Sequence, residues 1–296
     1  MLTRMGLNFR FLLTVLILFT MGCEDRHDWL MFRGTEGNGV TANRIQPPLA
    51  IKWQILLQES ETKALSFNPP IVVSDVVFFG SEDGNFYALD LKSGYMRWIF
   101  KSRAPVNSVP FADNKNLYFG SNDGHVYAVD LNTGEQRWSF ETGYTVQSLI
   151  LRHKDFLVFT SDRGNTHFVS ASNGKELHRI PNPVWSHHTF RVFEGIMYWA
   201  PGPRNYGASF GAYDIMKKQY LWIKSTDPGL NWYSFPALNN DAIFYSAAGY
   251  GRNRKENIDL VYYSVDRATG EEIWTTKEQS FLGNSIKHNF KSNQLF

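Results

Sequence analysis

The sequence predicts an all-β protein, a β-propeller of four-stranded antiparallel blades, and three observations predict it. A pattern about 40 residues long recurs along the chain. The third segment of the clearest copies, FYALDL and VYAVDL, is apolar on both faces. No sustained helical period follows residue 30. A strand apolar on both faces cannot lie on a half-solvated sheet and must be covered on each side. Sheets of this repeat length, stacked face to face, are propeller blades, whereas a solenoid usually has shorter or helical repeats.

Composition allows this. Of 296 residues, 43% are hydrophobic and 20% charged, which excludes a disordered or collagen-like chain. Nine Trp, 14 Tyr and 23 Phe supply large core side chains, and 23 Gly supply tight turns. One Cys excludes a disulfide framework and any cysteine-based zinc or iron–sulfur site.

The elements follow in chain order. Arg4 and Arg10 precede an apolar run at 11–19, too short to span a bilayer as a mature helix. A basic start and a short apolar stretch predict a signal peptide over 1–22. Cys23 follows Thr20-Met21-Gly22, which resembles a bacterial lipobox with Thr20 in place of the usual Leu. The expectation is a lipidated Cys23; a plain signal peptide with an incidental Cys is the alternative. Removing 1–22 takes away two basic residues and no acidic ones, so the formal charge falls from +2 to neutral. A neutral chain without a basic cluster argues against nucleic-acid binding and leaves the anchor as the membrane contact. Residues 23–48 form a lead-in, and 49–296 the propeller.

Residues 80–98 read GSEDGNFYALDLKSGYMRW, and 120–138 read GSNDGHVYAVDLNTGEQRW. Weaker copies lie at 161–178, where His178 replaces Trp, at 212–222 and at 264–274. In the second copy the strands fall at 108–111, 116–119, 125–131 and 135–141, with an Asp-Gly turn at 123–124. Full blades span 67–100, 107–141, 147–181, 187–225 and 233–276, with insertions at 201–208 and 249–259. Trp53 ends an earlier copy. Segments 49–57 and 284–296 combine into a sixth blade without its third strand. Stopping in mid-strand points to a truncated sequence.

The repeated A-x-D-x-x-[TS]-G-x-x-x-W pattern resembles that of pyrroloquinoline-quinone (PQQ) propellers. It runs through Ala88, Asp90, Ser93, Gly94 and Trp98, then Ala128, Asp130, Thr133, Gly134 and Trp138. Ala212, Asp214 and Trp222 match in part, as do Asp266, Thr269, Gly270 and Trp274. Asp28-Trp29-Leu30-Met31-Phe32-Arg33-Gly34 resembles the W-x-x-F-R-G opening of the same superfamily. The resemblance implies that these residues dock blades: Trp packs between neighbours, and Asp and Gly shape the turn. One branch of the family comprises quinoprotein dehydrogenases, with PQQ and calcium on the axis, an Asp base and often adjacent cysteines. The other, BamB-like branch binds no quinone and includes lipoproteins of outer-membrane protein assembly. This chain has no adjacent cysteines, and its motif Asp residues all fall in turns. Calcium needs six to eight converging oxygens, and no local motif offers them. The resemblance therefore implies neither PQQ nor calcium.

Other constellations are weaker. His187 and His188 are adjacent on an expected strand and so face opposite ways, which does not suit shared metal ligation. No nucleophile-elbow, P-loop or dinucleotide fingerprint occurs. Equivalent positions Asn68, Ser108, Ser148, His188 and Ser234 should ring the mouth of the axial channel. A wet funnel accounts for small polar residues there; a shallow peptide or glycan pocket is the functional alternative. Trp185, Trp232 and Tyr233 are expected to overhang that mouth. The sequence thus points to a non-catalytic, exported scaffold at the cell envelope, outer-membrane anchored, binding a protein client or assembly complex. A PQQ-dependent alcohol or sugar dehydrogenase and a glycan-binding propeller are the alternatives.

Overall fold

The computed structural model describes residues 28–31, 50–55, 57, 69–162, 165–181, 190–200, 209–225, 232–233, 236–249 and 257–281. Among them there is no helix. Twenty-one strands form five antiparallel sheets, blades 1 to 5, over 71–101, 111–141, 151–181, 190–225 and 232–281. Within each of the first four, strands follow one another in sequence order from first to fourth. The repeat therefore predicts the blades to within a few residues.

Blade 5 departs from the four-stranded expectation. Its first strand is split in two: Ala237–Leu238 pairs with Phe244 and Ile243, and Trp232–Tyr233 pairs with Ala248 and Ala247. Strands Ala242–Gly249, Asn257–Asp266 and Glu272–Phe281 are longer than their counterparts, so the sheet extends past the others.

Each blade uses the same local chemistry. In blade 2, Gly120 ends the second strand, and a turn over Ser121–Gly124 leads into His125–Asp130. That third strand reads buried at Val126, Tyr127, Ala128 and Val129, because blades cover both of its faces. The cores lie between blades. One cluster joins Phe78, Phe86 and Trp98 of blade 1 to Leu117, Phe119 and Tyr127 of blade 2. Others bridge blades 2 and 3, 3 and 4, and 4 and 5.

The ring has two distinct faces. Turns joining first to second and third to fourth strands share one face, called here the turn face. They are tied together by hydrogen bonds from the amides of Leu91, Leu131, Ala171 and Ile215 to the carbonyls of Asp75, Lys115, Asp155 and Gly195. The opposite face carries the second-to-third turns and the connectors between blades, linked by Val106 N–H to Ser81 O and Val146 N–H to Ser121 O. The lead-in threads along the inner strands. Trp29 pairs antiparallel with Val72, and Ala112 N–H donates to Leu30 O at 3.0 Å. Leu30 packs on the blade 1–2 core and Met31 on the core that includes Val109 and Leu149.

Candidate functional site

The repeat motif builds the blade seams. Trp98 pairs across the sheet with Ala88, whose small side chain leaves room for the indole. Its ring then covers Gly134 of blade 2, and its Nε1–H donates to Leu131 O at 3.2 Å. A Cβ built on Gly134 would lie 2.6 Å from the ring, and φ there is +73°. Only glycine meets both demands. Trp53 stands in the same relation to Gly94 and Leu91, Trp138 to Gly174 and Ala171, and Trp222 to Gly270 and Arg267. Each seam thus satisfies the one indole donor and buries the bulk of the ring. Ala128 and Ala212 face Trp138 and Trp222 as Ala88 faces Trp98. Trp274 is 44% exposed and packs beside Phe244.

The motif aspartates hold the turns before those glycines. Asp90 Oδ1 accepts from the amides of Lys92 and Ser93 and from Ser93 Oγ–H, while Arg97 donates to Oδ2 at 2.7 Å. The Arg97 guanidinium and the Ser93 amide hold this carboxyl well below the usual range. Asp130 is lowered chiefly by Arg137, and Asp266 by the Thr269 amide. Asp214 accepts from Lys217 N–H at 2.8 Å. A carboxylate so engaged and so acidic is a poor general base, because a base needs a pKa near the working pH.

The axial expectations fare differently. Ser108 and Ser148 are both 0% exposed. Their hydroxyl oxygens accept from the amides of Gly120 at 2.6 Å and Thr160 at 2.9 Å. They tie each inner connector to the end of the second strand, so they do not line an open mouth; a buried amide must find a partner, and serine supplies it. The Trp232–Tyr233 backbone is a short strand paired to its own blade, where a connector was expected. Asn68, Trp185, His188, Ser234 and Cys23 lie outside the described residues, as does 284–296.

Blade 3 holds an arrangement that the repeat alone did not single out. His167 replaces the Tyr87 and Tyr127 of blades 1 and 2, whose hydroxyls donate to Asp83 and Asp123. Its Nε2 lies 3.0 Å from Ser161 Oγ, and its Nδ1 lies 3.0 Å from Glu176 Oε1. Burial lowers the imidazole pKa against the opposing pull of Glu176. This is the order of a nucleophile, a base and an orienting acid. Ser161 and His167 are each only 2% exposed, though, with the ring stacked on Phe159 and edge-on to Phe140. A substrate could not reach that hydroxyl, and the chain serves as a polar lock inside the blade 2–3 seam. The legible signal was a histidine and a glutamate at positions where the clearer repeats carry neither. Among the described residues, no three His, Cys, Asp or Glu side chains cluster as metal ligands.

Two grooves open at the blade 2–3 seam. One, of about 430 Å³ on the turn face, is lined by Leu30, Phe111, Asp113, Tyr118, Arg152 and Asp155. Arg152 and Tyr118 both donate to Asp113 within it. The other, of about 420 Å³ on the opposite face, is lined by Asn122, Asp123, Gly124, Tyr144, Thr145 and Asp162.

Seams of this kind, repeated around inner strands, define a PQQ-type β-propeller. A family model described as outer membrane protein assembly factor BamB matches residues 50–276, and the chain belongs to that family. No curated protein matches it by sequence. Among solved structures, BamB from Moraxella catarrhalis is similar at 16% identity and TM-score 0.51, over 68% of this chain and 58% of that one. The quinohemoprotein alcohol dehydrogenase ADHIIG of Pseudomonas putida HK5 is similar at 18% identity and TM-score 0.57, over 84% and 48%. The quinohemoprotein alcohol dehydrogenase of Comamonas testosteroni follows at 16% and 0.55, over 71% and 42%. The match spans less than two thirds of each of these chains, and at such identities the likeness is one of fold.

Proposed function

We propose that this protein is a non-catalytic propeller scaffold, exported and lipid-anchored through Cys23, which binds a protein partner in outer-membrane protein assembly. The observation that carries the reading is the match of 50–276 to the BamB family. Two features support its non-catalytic half. The motif aspartates are engaged in turns, which leaves none of them poised as a base. The described residues at the inner strands also do not suit a quinone with calcium: Ser108 and Ser148 are committed to backbone amides, and Leu30 and Met31 are apolar side chains packed against cores. The proposal therefore includes neither PQQ nor calcium.

The test is made on the full chain expressed with its signal. Chemical cross-linking in envelopes should capture outer-membrane assembly components, and labelled palmitate should enter the wild type but not Cys23→Ser. Incubating purified protein with PQQ and calcium should give no stoichiometric quinone absorbance and no dye reduction with alcohols or sugars. Quinone uptake with turnover would move the protein to the dehydrogenase branch.

A further inference from the structure

We infer that the polypeptide leaves the ring through the turn face, so that an anchor at Cys23 sets that face against the lipid surface and leaves the opposite face to protein partners. The inference rests on the lipid-anchor reading above and adds its orientation.

The lead-in fixes the direction. Asp28 Oδ1 accepts from Ser74 N–H at 2.9 Å, and Ser74 sits in the first-to-second turn of blade 1. Trp29 then pairs antiparallel with Val72, with its amide donating to Val72 O at 2.6 Å and its carbonyl accepting at 3.0 Å. The first strand, Ile71–Val73, runs toward the turn face. A partner antiparallel to it runs away from that face, so the residues preceding Asp28 must arrive from the turn face.

Chain length then excludes the opposite face from the bilayer. Cys23 stands five positions before Asp28. At no more than about 3.5 Å per residue, that stretch reaches roughly 17 Å. A third strand of six residues, such as Asn85–Asp90, measures about 20 Å from face to face. Three strand spacings from the first strand to the fourth add roughly 14 Å. A chain passing over the rim to put the opposite face on the membrane would need to cover both, about twice its reach. With the turn face toward the bilayer, the same five residues suffice. A diacylated cysteine holds a neutral protein at a bilayer without help from a basic surface. The groove of Asn122, Asp123, Tyr144 and Asp162 then points into the aqueous compartment.

Reporter cysteines test this, because Cys23 is the one native cysteine and is blocked when acylated. Asn114→Cys marks the turn face, Arg103→Cys and Tyr144→Cys the opposite face, and Ser139→Cys the rim; all four positions are exposed. The lipidated variants are labelled with a fluorophore and placed in phosphatidylethanolamine–phosphatidylglycerol vesicles containing a headgroup quencher. Quenching at Asn114→Cys should exceed that at Arg103→Cys and Tyr144→Cys at least about twofold. Equal quenching, or stronger quenching at either opposite-face site or at the rim, would overturn the orientation. In unacylated protein, a spin label on Cys23 should lie closer to one on Asn114→Cys than to one on Tyr144→Cys. The reverse order would overturn the exit route whether or not Cys23 is acylated. Failure of palmitate labelling alone would instead remove the anchor.

Discussion

The seam between blades 1 and 2 and the seam between blades 3 and 4 solve one packing problem in two ways. In the first, Trp98 lies over a bare Gly134 and donates to Leu131 O. In the second, His178 occupies the tryptophan position, and Lys218, at φ +55°, occupies the glycine position. The smaller ring does not reach across, so the opposing residue can carry a side chain. Tyr213 fills the space instead: its hydroxyl lies 2.7 Å from His178 Nε2, and the two rings stack at 6.1 Å. Lys218 Nζ–H donates to Leu177 O at 3.4 Å. The departures at 178 and 218 are thus two halves of one change. Tryptophan demands glycine, and the loss of one releases the other. A seam without tryptophan is here filled by other side chains.

Removing the indole should give the largest effect. Trp98→Ala should destabilise the protein by about 3–5 kcal/mol, the usual cost of deleting a buried large aromatic. Urea denaturation measures it, and a loss under about 1 kcal/mol would mean that the ring does not dock the blades.

The next experiment transplants one solution into the other. His178→Trp should destabilise by about 1–3 kcal/mol, since the new ring meets the Cβ of Lys218 where the other seams offer glycine. Adding Lys218→Gly should recover at least about 1 kcal/mol of that loss, a coupling expected of touching residues. Additive effects would show that the two positions vary independently.

The blades were legible because their turns are local: Asp90, Ser93 and Gly94 lie within five positions and do the same work wherever they recur. The seam at 178 and 218 was not, because its halves lie in different repeats and each is a common surface residue. The axial serines misled for another reason. A serine between blades looks like a wet residue until its amide partner is known, and Gly120 and Thr160 are twelve positions away. The inner strand at Trp232–Tyr233 has only two residues, too few for any alternation to show.

A smaller effect should follow from Tyr213→Phe. It keeps the ring stack and removes the hydroxyl that meets His178. The expected loss is about 1 kcal/mol, the net worth of one hydrogen bond. Burial lifts the Tyr213 pKa to about 12, so this contact should hold its strength through mildly alkaline pH. No change in the denaturation midpoint would show that stacking alone fills the seam.

The smallest effect is acid weakening confined to blade 3. That blade carries His153, His167 and His178, and burial lowers the pKa of all three below the ordinary 6.5, aided at His178 by Lys218. The unfolded chain therefore takes up protons before the folded one as pH falls. Their contribution is fully present above about pH 6.5 and is lost as pH drops through the lower folded values. The seam that Trp98 closes between blades 1 and 2 brings none of these three imidazoles to its contact, so its strength should not change in this range. Between pH 7.5 and 5.5, amides of the third strand of blade 3 should lose exchange protection, corrected for intrinsic rates, relative to those of blade 1. Replacing all three histidines with glutamine should lower stability at pH 7.5 and flatten its slope toward pH 5.5. An unchanged slope in that variant would place the acid sensitivity elsewhere and dissolve this difference between blade 3 and the seam of blades 1 and 2.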